Sequence, residues 1–175
     1  MKKVILFITL TTTLINYSQK SENEKTYKYE LKIDAFDLAV FTAIDIGYER
    51  LYKEEMSYGV SLFINFKPEE TYYEKFAITP FYRFYFFNNQ ENGDNGYYFE
   101  VFSKFASGIN IENEDYLNEN KDYFDVNIGG ALGRKWISNK GFILETYFGF
   151  GRNLGFNKNS PDFAYRGGIS LGYRF

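Results

Sequence analysis

Downstream of about Tyr29, apolar and polar positions alternate with a period of two, in runs broken by polar turn clusters. The last run is the clearest: Phe163, Tyr165, Ile169, Leu171, Tyr173 and Phe175 share one face, opposite Arg166, Gly168, Ser170, Gly172 and Arg174. The same pattern recurs along Ile44–Tyr48, Tyr58–Phe66, Phe76–Phe86, Tyr97–Phe105, Phe124–Leu132 and Phe142–Phe150. Successive side chains of a strand point to opposite faces, so these runs predict seven half-covered strands. Tyr29 to about Phe36 is a weaker eighth, with Glu30, Lys32 and Asp34 on its polar face. Lys53-Glu54-Glu55 and Ser138-Asn139-Lys140 are tight turns, whereas 67–73, 110–121 and 153–162 are longer loops. Asn88 to Asn95 is long for a turn on the tight-turn side, and Asp37 to Thr42 is short and apolar for a loop on the other.

Alternation alone fits two architectures, a barrel in lipid or a soluble barrel or sandwich with its sides reversed. Volume separates them. Nearly every run carries three or more large side chains on its apolar face, too many for the interior of an eight-stranded barrel. The other face mixes Gly, Ala and Ser with charged residues, which suits a narrow polar lumen. The expected fold is therefore all-β: a closed antiparallel up-and-down transmembrane β-barrel of about eight strands.

Composition narrows the function. Phe and Tyr number 20 and 17 against one Trp, which favours pleated structure over helix. A net charge of -3 argues against nucleic acid as a partner. The chain has no His and no Cys, hence no disulfide, no thiolate metal site, no lipidated Cys and no ordinary general base. No catalytic, cofactor-binding or metal-ligating set emerges.

The first residues read as a secretion signal, 1–18: Lys2 and Lys3 precede an apolar stretch from Val4 to Leu14 and a cleavage zone at Asn16-Tyr17-Ser18-Gln19. A short polar segment, 19–28, leads into the barrel, 29–175.

The alternation points Asp45, Glu49, Arg83, Glu100, Lys104, Asp125, Glu145, Arg166 and Arg174 inward. Enclosed charges are costly unless paired, so a salt-bridge network plugging the lumen is expected, centred on Glu49, Arg83, Glu100, Glu145 and Arg174. A gate or ion path is the functional alternative to structural filling. A carboxylate pair such as Glu49 and Glu145 could act as acid and base, but charge-balancing filler is the better reading. Arg50 and Arg134 fall on the apolar face near strand ends, where long side chains can snorkel. The acidic run Glu112–Asp125 lacks the spacing and Gly of an EF-hand loop.

The terminal pattern Tyr165-x-x-x-Ile169-x-Leu171-x-Tyr173-x-Phe175 resembles the C-terminal signal that the barrel-assembly machinery reads on bacterial outer-membrane proteins. Gly47-Tyr48-Glu49-Arg50, Ile78-Thr79-Pro80 with Tyr82-Arg83-Phe84-Tyr85, Gly133-Arg134-Lys135-Trp136 and Gly172-Tyr173-Arg174-Phe175 together resemble small eight-stranded Bacteroidetes-type outer-membrane barrels of unknown function. The resemblance spans about Leu31 to Phe175. It implies a Gram-negative outer-membrane location, with membrane lipid and the assembly machinery as partners, and supplies no catalytic residues. The expectation is a non-enzymatic structural or interaction module, with a protein partner meeting Tyr72, Tyr73, Glu114, Asp115 and Tyr116 in the exterior loops. A narrow small-solute pore and a secreted soluble ligand-binding barrel are the alternatives.

Overall fold

The computed structural model describes residues 28–53, 55–68, 74–86, 95–109, 122–155 and 161–175. Eight strands follow one another: β1 (Tyr29–Asp34), β2 (Ala43–Lys53), β3 (Met56–Asn65), β4 (Glu74–Phe86), β5 (Tyr97–Ile109), β6 (Asp122–Ile137), β7 (Phe142–Asn153) and β8 (Phe163–Arg174). Each pairs antiparallel with its sequence neighbour, and β8 returns to β1 through Glu30–Arg174 to Asp34–Ser170, so the sheet closes into a barrel with no free edge. The alternating face predicted for each run is the face observed. In β8, for example, Ala164, Arg166, Ser170 and Arg174 are buried, while Tyr165, Ile169, Leu171 and Tyr173 are exposed.

The closed sheet gives the barrel two ends. Tyr29 and Phe175 meet at one, the terminal end, where the Tyr29 amide donates to the Phe175 carbonyl at 3.1 Å. The β6–β7 turn lies there too, and it depends on Gly141, whose φ of 87° is unfavourable for residues with a side chain. The opposite end carries the β1–β2 connection.

That connection differs from the expected loop. Ala35–Val40 forms a short helix, α1, so the first strand stops at Asp34 rather than about Phe36. Asp34 is the reason: its carboxylate accepts from the amides of Phe36 (2.8 Å) and Asp37 (3.2 Å), satisfying helix donors that would otherwise lack partners. The helix places Asp37 inward at the barrel mouth and leaves Leu38 and Val40 exposed.

The interior is also more aromatic than expected. Phe63, Phe81, Tyr85, Tyr98, Phe102, Tyr123 and Tyr147 are buried inside, interleaved with charge. They fit because their neighbours are small. A side chain on Gly133 would collide with the Tyr98 ring, and Phe81 packs with Phe102 and Ala131.

Candidate functional site in the barrel lumen

Two regions share the lumen. Towards the terminal end lies a continuous ionic plug. Arg83 of β4 is its hub, with Nε 2.7 Å from Glu100, and Nη1 2.7 Å from Glu49 and 3.0 Å from Glu145. Its guanidinium is sandwiched between the Phe81 and Tyr98 rings, 4.4 and 4.3 Å from their centroids. Lys32 of β1 bonds Glu49 and also Glu145, the latter at 2.9 Å. Lys135 of β6 spans Glu30 and Glu49 at 2.7 and 2.9 Å, and Arg174 closes the series on Glu30 at 2.9 Å. Ser57 and Tyr85 donate hydroxyl hydrogens to Glu49, and Tyr98 donates to Glu145 at 2.9 Å. Four carboxylates thus meet four cations here, and all eight residues are buried. Such a cluster is tolerable away from water only when every charge is paired and hydrogen-bonded, as these are.

Arg166 of β8 links this plug to the second region, with Nε 2.7 Å from Glu100, Nη1 2.9 Å from the Ser61 hydroxyl and 4.0 Å from Asp45. Beyond it, towards α1, the balance changes. Among the described residues, Asp34, Asp37, Asp45, Glu74 and Asp125 are buried there against only Lys104 and Arg166. Lys104 pairs with Glu74 at 2.7 Å, and Asp34 accepts from the Tyr147 and Ser170 hydroxyls, both at 3.1 Å. The Asp37 carboxylate faces a half-open cavity of about 450 Å³, walled by Phe36, Phe41, Phe63, Tyr147, Phe148 and Tyr165 among others. Burial, with Asp34 and Asp45 nearby, raises the Asp37 carboxyl to about 7.

The structure thus brings Glu49, Arg83, Glu100 and Glu145 into one contiguous group and attaches Arg166. Arg174 reaches that group through Glu30 and Lys135 rather than directly. Lys104, Asp45 and Asp125 lie outside the plug, in the acidic region. Glu30, Lys32, Asp34, Asp37, Glu74 and Lys135 are lumen charges missing from the expected set. Glu30, Lys32 and Asp34 lie on the polar face of the first strand, and Lys135 extends the inward series Asn127, Ala131, Gly133 by one step. Glu74 breaks the period of Thr79 and Ala77, because the register shifts between Glu74 and Phe76 and turns it inward. Asp37 follows no strand period, because it sits on the helix.

Arg50 and Arg134 are on the outer face near the terminal end. Arg134 donates to the Tyr97 hydroxyl at 2.9 Å and stacks on Trp136 at 4.9 Å, and Arg50 lies 5.7 Å from the Tyr29 ring. Tyr165, Ile169, Leu171, Tyr173 and Phe175 all face outward on or just after β8. Tyr72, Tyr73, Glu114, Asp115 and Tyr116, with the 1–18 segment, lie outside the described residues. Among the described residues no group of three or more Asp or Glu is disposed to hold a metal ion.

No protein-family model, curated protein or solved structure matches this chain.

Proposed function

We propose that this chain is an outer-membrane protein: a lipid-embedded barrel with an ion-paired, closed lumen, serving without catalysis as a structural or interaction module. The observation that carries the reading is the inversion of its faces. Large apolar residues such as Leu31, Ile46, Leu62, Ile78, Val101, Leu132 and Leu144 cover the exterior of every strand, while the charges lie inside. Water is a poor solvent for that exterior, since soluble proteins rarely expose contiguous apolar patches beyond a few hundred Å². Hydrocarbon is a good one, and closure leaves no unpaired strand edge to meet it.

The ends of the strands fit the same reading. Tyr29, Tyr48, Tyr52, Tyr58, Tyr97, Trp136 and Tyr173 ring the exterior at the terminal end, where Arg50 and Arg134 also lie. Aromatic girdles and snorkelling cations of this kind belong at a membrane–water boundary. The terminal end is then periplasmic, the α1 end faces out, and the outward residues of β8 are available to the assembly machinery. The plug argues for a lumen that does not conduct.

Fractionation of expressing cells, with gel mobility of unheated and boiled samples, tests the placement. The expected result is recovery in outer membranes and a band that shifts on boiling. A soluble, heat-invariant band overturns it. Planar-bilayer recordings of the refolded protein test the plug: silence is expected, and discrete conductance steps contradict it.

A further inference from the structure

We propose that the cavity beneath α1 is a binding site for a small organic cation, an ammonium or guanidinium group carried on an apolar body. The charge surplus around it does not carry this alone. The decisive feature is Asp37: its side chain lines the cavity, is only 8 % exposed, and among the described residues its carboxylate has neither a hydrogen-bond donor nor an ion-pair partner. Every lumen carboxylate of the ionic plug, by contrast, is held by at least one cation. A buried carboxylate without a partner is costly, and a ligand that brings the missing positive charge is favoured at that point.

The surroundings choose among cations. The two nearby basic groups are already engaged, Lys104 by Glu74 and Arg166 by Glu100, so neither neutralises Asp37 directly. A bare metal ion would want several converging oxygens, and the described residues offer no such group. The walls beside Asp37 are instead aromatic: Phe36, Phe41, Phe63 and Tyr147. Ring faces attract an organic cation and bury its apolar part at once. About 450 Å³ is in the range of cavities that hold small molecules. The site lies inside the barrel mouth, so the inference does not depend on what surrounds the exterior.

The groups facing Asp37 from the packed elements are Asp34 on β1, Asp45 on β2, Glu74 on β4, Lys104 on β5, Tyr147 on β7 and Arg166 on β8. Because the empty site holds the Asp37 carboxyl at about 7, a cation must displace a proton below that pH. Binding therefore weakens about tenfold from pH 8 to pH 6, following the ionised fraction of one carboxyl.

The test is an NMR titration of the isotope-labelled chain folded in detergent micelles, with 2-phenylethylammonium as the probe and neutral 2-phenylethanol as its comparator. Saturable shifts are expected at the amides of Phe36, Asp37, Gly167 and Gly168. The neutral analogue should bind at least tenfold more weakly, and Asp37→Asn should lower the affinity for the cation by a similar factor and flatten its pH dependence. Retained spectral dispersion certifies that the variant is folded. If Asp37→Asn fails to fold, Glu74→Gln, which leaves Asp37 in place and frees Lys104 to approach it, should weaken cation binding instead. Equal affinity for the neutral analogue, unchanged binding by the folded Asp37→Asn protein, or shifts scattered over the exterior without saturation would each overturn the proposal. None of these outcomes bears on membrane placement, which fractionation reads separately.

Discussion

Asp34, which opposes Ser170 at the end of β1, reaches across the closing seam so that its carboxylate occupies the space a side chain at Gly168 of β8 would need. The contact joins three features: closure of the barrel, capping of α1 and the position of Asp37. Asp34 caps the helix while accepting from Tyr147, Ser170 and the Ile169 amide, so five donors hold it. Gly168→Ala is expected to destabilise the barrel by about 1–3 kcal/mol, the usual cost of overpacking a filled site. Urea-induced loss of the fast-migrating gel form would measure it. An unchanged midpoint would mean that Asp34 has another place to go.

In the ionic plug, Glu100 is bonded to both Arg83 and Arg166. Glu100→Gln keeps the shape but leaves two buried guanidinium groups short of an anion. A loss of about 3–5 kcal/mol is expected, as for a buried pair broken on one side. Adding Arg166→Met to Glu100→Gln should recover part of that loss, because it removes one of the two guanidinium groups left short of an anion. A double-mutant cycle on unfolding midpoints checks the ordering.

Charge on the exterior should be tolerated by depth. Arg50 and Arg134 already sit near the terminal end. Leu62→Arg, towards the middle of β3, should lower stability by about 2–4 kcal/mol in vesicles, the cost of a cation at the hydrocarbon midplane. Tyr52→Arg, close to the terminal end, should cost less than about 1 kcal/mol. Equal costs at the two positions would argue against a hydrocarbon layer around the strands.

Asp37 sets a pH dependence whose sign follows from its raised carboxyl, at about 7 in the folded protein against an ordinary 3.8. Between those values the folded state binds the proton more tightly than the unfolded chain. The penalty of ionising Asp37 is therefore absent below about pH 4, grows as the pH rises and is complete above about 7. Asp37→Asn should be more stable than the parent at pH 8, and that advantage should shrink as the pH falls towards 4. Paired unfolding curves at several pH values measure the difference, in which the other carboxylates largely cancel.

Much of this architecture is legible in the residues because a strand has a period of two and one of its faces must meet an apolar medium. Alternation alone separates Ile169 and Leu171 from Ser170 and Gly172. Lys135 was legible by the same rule but lies where its run fades into a turn, and there the apolar marks that define the period thin out. Glu74 was not, because a register irregularity between it and Phe76 puts it out of phase with Ala77 and Thr79. Arg174 shows a different limit. Its face can be read from the sequence, but its partner Glu30 is set by the closure of β8 on β1, a pairing between residues 144 apart in the chain. Asp37 is the hardest to read. The segment from Ala35 to Val40 is short and apolar, and only the cap supplied by Asp34 turns it into a helix with one carboxylate aimed inward.

The chain's single tryptophan, Trp136, lies on the outer face near the terminal end, 37 % exposed, and offers the most direct test of the proposed placement. The measurement is its fluorescence after refolding into vesicles made with lipids brominated at defined acyl-chain depths. An embedded barrel predicts strong quenching, greatest for bromines near the headgroups and weaker for those at the bilayer centre, with little effect of aqueous acrylamide. Quenching by acrylamide with none by the brominated lipids would contradict a membrane-spanning barrel.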